Sequence, residues 1–110
     1  MRTRLNHIGN MPMVESIKDL KRKVIPSGRM ILFGSHARGD ARQDSDWDVV
    51  MLLNKDKLTS NDFDTYAYPF VEMGWKQGEY ISIKQYTVAD WEKRKGTPFY
   101  QNVTREGIEL

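Results

Sequence analysis

Residues 30–53 read MILFGSHARGDARQDSDWDVVMLL, and only here does the sequence combine apolar runs, a Gly-Ser turn and paired carboxylates. A first apolar run, 30–33, stops at Gly34 and Ser35, and a second apolar run covers 47–53. Short apolar runs bounded by turn residues are typical of buried strands. The stretch therefore predicts a strand, a polar turn and a second strand.

Two carboxylates stand where the second strand begins. Side chains alternate between the faces of a strand, so Asp46 and Asp48 are expected on one face and Trp47 on the other. Like charges about 4 Å apart repel by about 4 kcal/mol at an effective dielectric of about 20, and burial adds a desolvation cost. A divalent cation removes this penalty, and Mg²⁺ binds one or two carboxylates together with water and phosphate oxygens. The pair predicts a magnesium site that is completed by a nucleotide.

The turn after the first strand predicts a phosphate site. Gly34 has no side chain, so a phosphate can approach the backbone there. Ser35 adds a hydroxyl beside N–H groups that open a short helix, and such N–H groups bind anions. Arg38 supplies a positive charge, and Gly39 is expected to end the helix.

At this point the residues resemble a known family. Gly34-Ser35, ten intervening residues and Asp46-x-Asp48 are similar to the GS-x10-D-x-D signature of the nucleotidyltransferase superfamily, which includes DNA polymerase β and kanamycin nucleotidyltransferase. The longer string GSHARGDARQDSDWDVV resembles minimal nucleotidyltransferases, small prokaryotic domains of which some are antitoxins paired with HEPN-domain toxins. The resemblance implies a nucleotidyltransferase fold, ATP or another NTP as substrate, and one or two Mg²⁺ ions. It also implies these site residues: Asp46 and Asp48 for metal and catalysis, and Gly34, Ser35 and Arg38 for phosphate.

The family's third acid is not evident in this chain. Active members carry a third carboxylate on the strand after the second helix, where it helps hold the metals and takes the proton from the attacking hydroxyl. Here that strand, 79–86, reads EYISIKQY, so Glu79 is the candidate catalytic carboxylate. A solvated surface carboxylate is the equally open alternative. A general base contributes about 10²- to 10⁴-fold to a rate, so a site without one can be slow without being inactive, and the sequence does not separate the two cases.

Two functions therefore remain open. As an enzyme, the chain would move a nucleoside monophosphate, AMP from ATP, onto a hydroxyl of a partner protein or small molecule; the resemblance implies a tyrosine of a HEPN toxin. As an interaction module with weak or no catalysis, it would neutralise a partner by binding it. The intact GS-x10-D-x-D pattern favours the enzyme, and the missing acid favours the module.

Composition limits the classes of protein that are possible. A chain of 110 residues predicts one domain, 1–110, so an acceptor is expected on a partner chain or a second copy. The absence of Cys excludes disulfides and thiolate metal sites. A net charge of +2 predicts no strong nucleic-acid binding. No apolar run approaches the ~20 residues of a membrane span, and the polar beginning lacks a signal-peptide core, so we expect a cytoplasmic protein.

The remaining patterns predict an α/β (α+β) sandwich, a small mixed sheet with helices packed on it. Residues 1–10 show no periodicity and are expected to be flexible. The predicted elements are a helix over 12–25, strands over 30–33 and 47–53, a helix around 63–71 that Pro69 kinks or divides, a strand over 79–86, helices capped by Thr87 and Thr97, and a docking tail at 108–110.

Overall fold

The computed structural model describes residues 8–110, which form a four-stranded mixed sheet with helices on both faces. The α/β prediction is therefore confirmed. The strands are β1 (Arg29–Phe33), β2 (Trp47–Leu53), β3 (Ile81–Thr87) and β4 (Ile108–Glu109). The helices are α1 (Met11–Val24), α2 (Gly34–Arg38), α3 (Tyr68–Lys76), α4 (Val88–Glu92) and α5 (Pro98–Glu106), with a π-helical segment, Phe63–Ala67, directly before α3. None of the helices within 8–110 is long and apolar enough to cross a bilayer.

The strand order is β3-β2-β1-β4. β1 runs antiparallel to both β2 and β4, whereas β2 and β3 are parallel. A parallel pair needs a crossover connection, and the π-helical segment with α3 supplies it. β2 lies between β1 and β3. The start of β2 is therefore flanked by the turn after β1 on one side and by the start of β3 on the other.

β2 is the centre of the core. All of its residues are buried except Asp48, which is half-buried. Trp47, Val49 and Met51 belong to the cluster that α1 and α3 cover, and Val50 and Leu52 belong to the cluster on the opposite face, with residues of α4 and α5. A strand that is covered on both faces reads as a continuous apolar run, which is why 47–53 shows no polar alternation.

Helix starts follow the predicted chemistry. Thr87 and Thr97 accept hydrogen bonds from Asp90 N–H at 3.0 Å and Tyr100 N–H at 3.2 Å, so both predicted caps are confirmed. Pro69 lies at the start of α3, directly after the π-helical segment, so the predicted division of this helix is also confirmed. A proline in the first turn has no N–H to leave unpaired.

Residues near both ends of the described range 8–110 make contacts that go beyond the sequence predictions. Of the stretch 1–10, which was expected to be flexible, residues 1–7 lie outside the described residues. Ile8 is buried in the core, and the Asn10 side chain caps α1 by accepting from Met13 N–H at 3.1 Å. The expected docking tail is strand β4, which pairs with β1 and buries Ile108 completely.

Candidate functional site

The turn from β1 into α2 brings Gly34, a predicted phosphate residue, against Asp48, a predicted metal residue. Gly34 has φ +77, and a Cβ at this position would lie 2.4 Å from Asp48 Oδ2. The position therefore excludes a side chain both by backbone conformation and by the approach of a carboxylate. α2 ends at Gly39, which has φ 86 and donates its N–H to Ser35 O at 2.9 Å, as predicted.

Asp46 and Asp48 interact as the spacing predicts. Asp46 is exposed just before β2, and Asp48 is half-buried within it, opposite Phe33 of β1. Burial raises the pKa of the Asp48 carboxyl above its usual value, and the negative charge of Asp46 raises it further. Lys84 is the first of the cations that lower this pKa, but the net shift is upward. Asp48 is thus a carboxylate whose ionised form lacks enough positive charge around it.

This electrostatic deficit fits a bound cation. Across residues 8–110, no group of three or more His, Cys, Asp or Glu side chains is arranged to hold a metal ion. A closed protein cage is therefore not available, but Mg²⁺ commonly binds one or two carboxylates and completes its octahedron with water and phosphate oxygens. Asp46 and Asp48 are the residues that would hold it, and a nucleotide would supply the remaining ligands.

A stacked pair of rings holds the two halves of the site together. The His36 ring of α2 lies 3.8 Å from the Trp47 ring, between centroids, at an interplanar angle of 11°. His36 Nε2 is also 3.1 Å from Ser45 O, within hydrogen-bond distance. Sequence reasoning assigned His36 only to the short helix, because nothing in the spacing shows that it meets a tryptophan eleven residues later.

The residue beside Asp48 on β3 is Ser82. The parallel register pairs Asp48 with Ser82 and, two positions on, Val50 with Lys84. In-register residues of neighbouring strands share a face. The sheet position where a third acid would stand next to Asp48 is therefore occupied by a hydroxyl.

The hydrogen bond of the Glu79 side chain is to the start of α1. Glu79 Oε1 accepts a hydrogen bond from Asn10 Nδ2 at 3.2 Å, and Asn10 caps α1, which packs on the opposite face of the sheet from Asp48. Glu79 also lines a cavity shared with His36 and Arg42. Its catalytic role stays a prediction.

One residue that contacts the site was missed by sequence reasoning. Glu106, at the end of α5, accepts a hydrogen bond from Gly34 N–H at 3.1 Å, and its carboxylate lies 3.3 Å from Arg38 Nη1. Arg38 also donates to Asp40 at 3.2 Å. These two carboxylates raise the pKa of the Arg38 guanidinium, Asp40 more than Glu106.

Comparisons with known proteins agree with this fold. A model of the family described as the nucleotidyltransferase domain matches residues 13–104. A chain from the crystal structure of a toxin-antitoxin with AMP-PNP superposes with a TM-score of 0.60 and 21% sequence identity, over 86% of this chain and 69% of that one. At this identity the likeness establishes a shared fold. No curated protein matches the chain.

Proposed function

Because the chain belongs to the nucleotidyltransferase domain family, we propose that it transfers a nucleoside monophosphate, AMP from ATP, onto a hydroxyl group of a partner protein or small molecule. The observation that supports this most directly is the meeting of Gly34 and Asp48, which joins a phosphate-binding turn to a carboxylate pair. In the proposed reaction the acceptor hydroxyl loses its proton to solvent and its oxygen bonds to the α-phosphorus. The bond between the α-phosphorus and the oxygen that bridges it to the β-phosphate breaks, and pyrophosphate leaves.

Each residue has a distinct part in this proposal. Asp46 and Asp48 hold Mg²⁺, which neutralises phosphate charge when it is bound. Gly34 allows the chain to turn without covering the Asp48 carboxylate. Ser35 and Arg38 donate to the β- and γ-phosphates, so that the triphosphate extends from the carboxylates towards α2. Positioning and charge neutralisation of this kind supply most of the catalysis in phosphoryl transfer.

The proposed partner is a HEPN-like toxin. Two observations support a protein partner: the resemblance of the 34–50 string to antitoxins of this type, and the structural likeness to a chain from a toxin-antitoxin complex that also contains AMP-PNP. The proposed acceptor is a tyrosine hydroxyl of that toxin. Its modification would silence the toxin by adding a charged nucleotide.

A second candidate function is neutralisation by binding alone. The observation that favours it is Ser82, because the site has a hydroxyl beside Asp48 where a proton-accepting acid would stand. In this alternative the fold binds the partner, with a nucleotide in the site, and transfers nothing.

Labelled ATP separates the two functions. The purified chain is incubated with Mg²⁺ and ATP labelled at either the α- or the γ-phosphate, with and without a HEPN-domain toxin. The proposal predicts covalent labelling of the toxin, or of the chain itself, from the α-label and none from the γ-label. Inhibition of the toxin with no covalent label from either position would support binding alone, and labelling from the γ-position would contradict both.

A further inference from the structure

Glu106 connects the end of the chain to the proposed nucleotide site. It lies 72 residues from Gly34 in sequence, yet its Oε1 accepts the Gly34 N–H at 3.1 Å. Both of its oxygens are 3.3 Å from Arg38 Nη1, and its side chain is only 17% exposed. A single carboxylate therefore contacts both the Gly34 turn and Arg38, one of the proposed phosphate donors.

The backbone that carries Glu106 is firmly held. A Cβ on the next residue, Gly107, would lie 2.3 Å from Val103 O and 2.7 Å from Ile31 Cγ2, so the end of α5 is pressed directly against β1. β4 follows at once and pairs with the same strand. Since β1 also leads into Gly34, the Glu106 carboxylate and the Gly34 N–H that donates to it are both held by β1.

The contact with Glu106 orients Arg38 without using all of its donors. Arg38 Nε donates to Asp40, and Nη1 faces Glu106, so neither contact uses Nη2. The Arg38 side chain is 46% exposed, and a free arginine of this kind would lose considerable rotamer entropy on binding an anion. Orientation before binding removes part of that cost.

We infer that Glu106 is a positioning residue for the triphosphate: it holds the Gly34 turn by its N–H and aims Arg38, leaving the Ser35 hydroxyl and Arg38 Nη2 as the phosphate donors. This inference rests on the proposed function. Glu106 acts on the β- and γ-phosphate end of the nucleotide, and the carboxylate end of the site does not depend on it.

The test compares a nucleoside triphosphate with its own monophosphate. The wild-type chain is first screened by calorimetry with Mg²⁺ and the four common NTPs, and the best binder is used with its monophosphate on the variants Glu106→Ala and Glu106→Gln. Glu109→Ala is the matched control. Glu109 lies three residues further on and forms a bidentate ion pair with Arg29, with N–O distances of 3.1 and 2.8 Å. This ion pair contacts neither Gly34 nor Arg38.

We expect Glu106→Ala to weaken triphosphate binding by about tenfold, equivalent to about 1.4 kcal/mol, with monophosphate binding unchanged. Glu106→Gln keeps an acceptor for Gly34 N–H but loses the charge facing Arg38, so its affinity should fall between those of the wild type and Glu106→Ala. Glu109→Ala should bind both nucleotides like the wild type. In the metal-free protein, the amide hydrogen of Gly34 should exchange with solvent faster in Glu106→Ala than in Glu109→Ala.

Four results would overturn the inference. Tighter triphosphate binding by both Glu106 variants would mean that this carboxylate competes with phosphate. Equal losses for triphosphate and monophosphate would mean that Glu106 only stabilises the fold. If the wild-type chain binds no triphosphate, both the proposed function and this inference are contradicted. If the wild type binds triphosphate and the Glu106 variants bind it equally well, only the inference is contradicted.

Discussion

Asp48 and Ser82 are paired neighbours in the parallel strands β2 and β3, so a hydroxyl and not a carboxylate lies beside Asp48 on β3. A carboxylate at position 82 would lie on the same face of the sheet as Asp48. The hydroxyl of Ser82 has no negative charge with which to bind a metal ion, and it does not readily accept a proton. The proposed enzyme is therefore expected to be slow.

Ser82→Asp should raise the rate of nucleotidyl transfer. The new carboxylate would stand next to Asp48 and accept the proton of the attacking hydroxyl, a role that contributes about 10²- to 10⁴-fold. The rate is measured as α-label transferred with Mg²⁺ present. Ser82→Asn is the control, because asparagine has nearly the same shape as aspartate and carries no charge. A folded Ser82→Asp variant no faster than Ser82→Asn would show that this position does not limit the reaction.

Glu79→Gln should leave transfer unchanged. Its carboxylate accepts from Asn10 beside the start of α1, and a glutamine oxygen can accept the same hydrogen bond. The measurement is again transfer of the α-label, with nucleotide affinity determined in parallel. A rate lower by 10²-fold or more, at unchanged affinity, would assign Glu79 as the general base.

The GS turn and the D-x-D pair could be predicted from the sequence because their causes are local. Gly34 directly follows a strand. Asp46 and Asp48 are two positions apart, so the alternation of side chains along a strand places them on one face wherever that strand lies in the fold. Glu106 could not be predicted, because its meeting with Gly34 depends on how α5 crosses the sheet. The same holds for Ser82, whose partner depends on a parallel register that a long crossover connection sets. Strand β4 has only two residues, which are too few to show the alternation of apolar and polar side chains from which a strand is predicted.

Asp48→Asn should stabilise the metal-free protein near neutral pH. The pKa of Asp48 is raised in the folded state, by burial first and by Asp46 second, so ionisation of Asp48 opposes folding. This cost is fully present above the folded-state pKa and disappears as the pH falls below the ordinary value of 3.8. Thermal unfolding with EDTA should therefore show a higher Tm for Asp48→Asn at pH 7 and a smaller difference as the pH falls towards 3. A difference that grows on acidification would contradict the assignment.

Gly34→Ala should damage the site more than Gly78→Ala does. Both glycines have positive φ, +77 and +75, so each substitution carries a similar backbone strain of about 1 kcal/mol. A Cβ at Gly78 meets nothing within 4 Å, whereas one at Gly34 meets Asp48 Oδ2. Chemical denaturation should show the larger loss for Gly34→Ala, and Mg²⁺-dependent nucleotide binding should fall in that variant alone. Equal losses in both properties would indicate that Asp48 moves aside without consequence.

The most direct test of the metal-nucleotide site is calorimetric titration of ATP, or the best-binding NTP, into the wild type and the double variant Asp46→Asn, Asp48→Asn, each with Mg²⁺ and with EDTA. Asparagine keeps the shape of both side chains and removes their charges, so the double variant should fold at least as stably as the wild type. We predict that the wild type binds the nucleotide more tightly with Mg²⁺ than with EDTA, and that the double variant loses this difference. An unchanged Mg²⁺-dependent affinity in the folded double variant would contradict the assignment of the metal to Asp46 and Asp48.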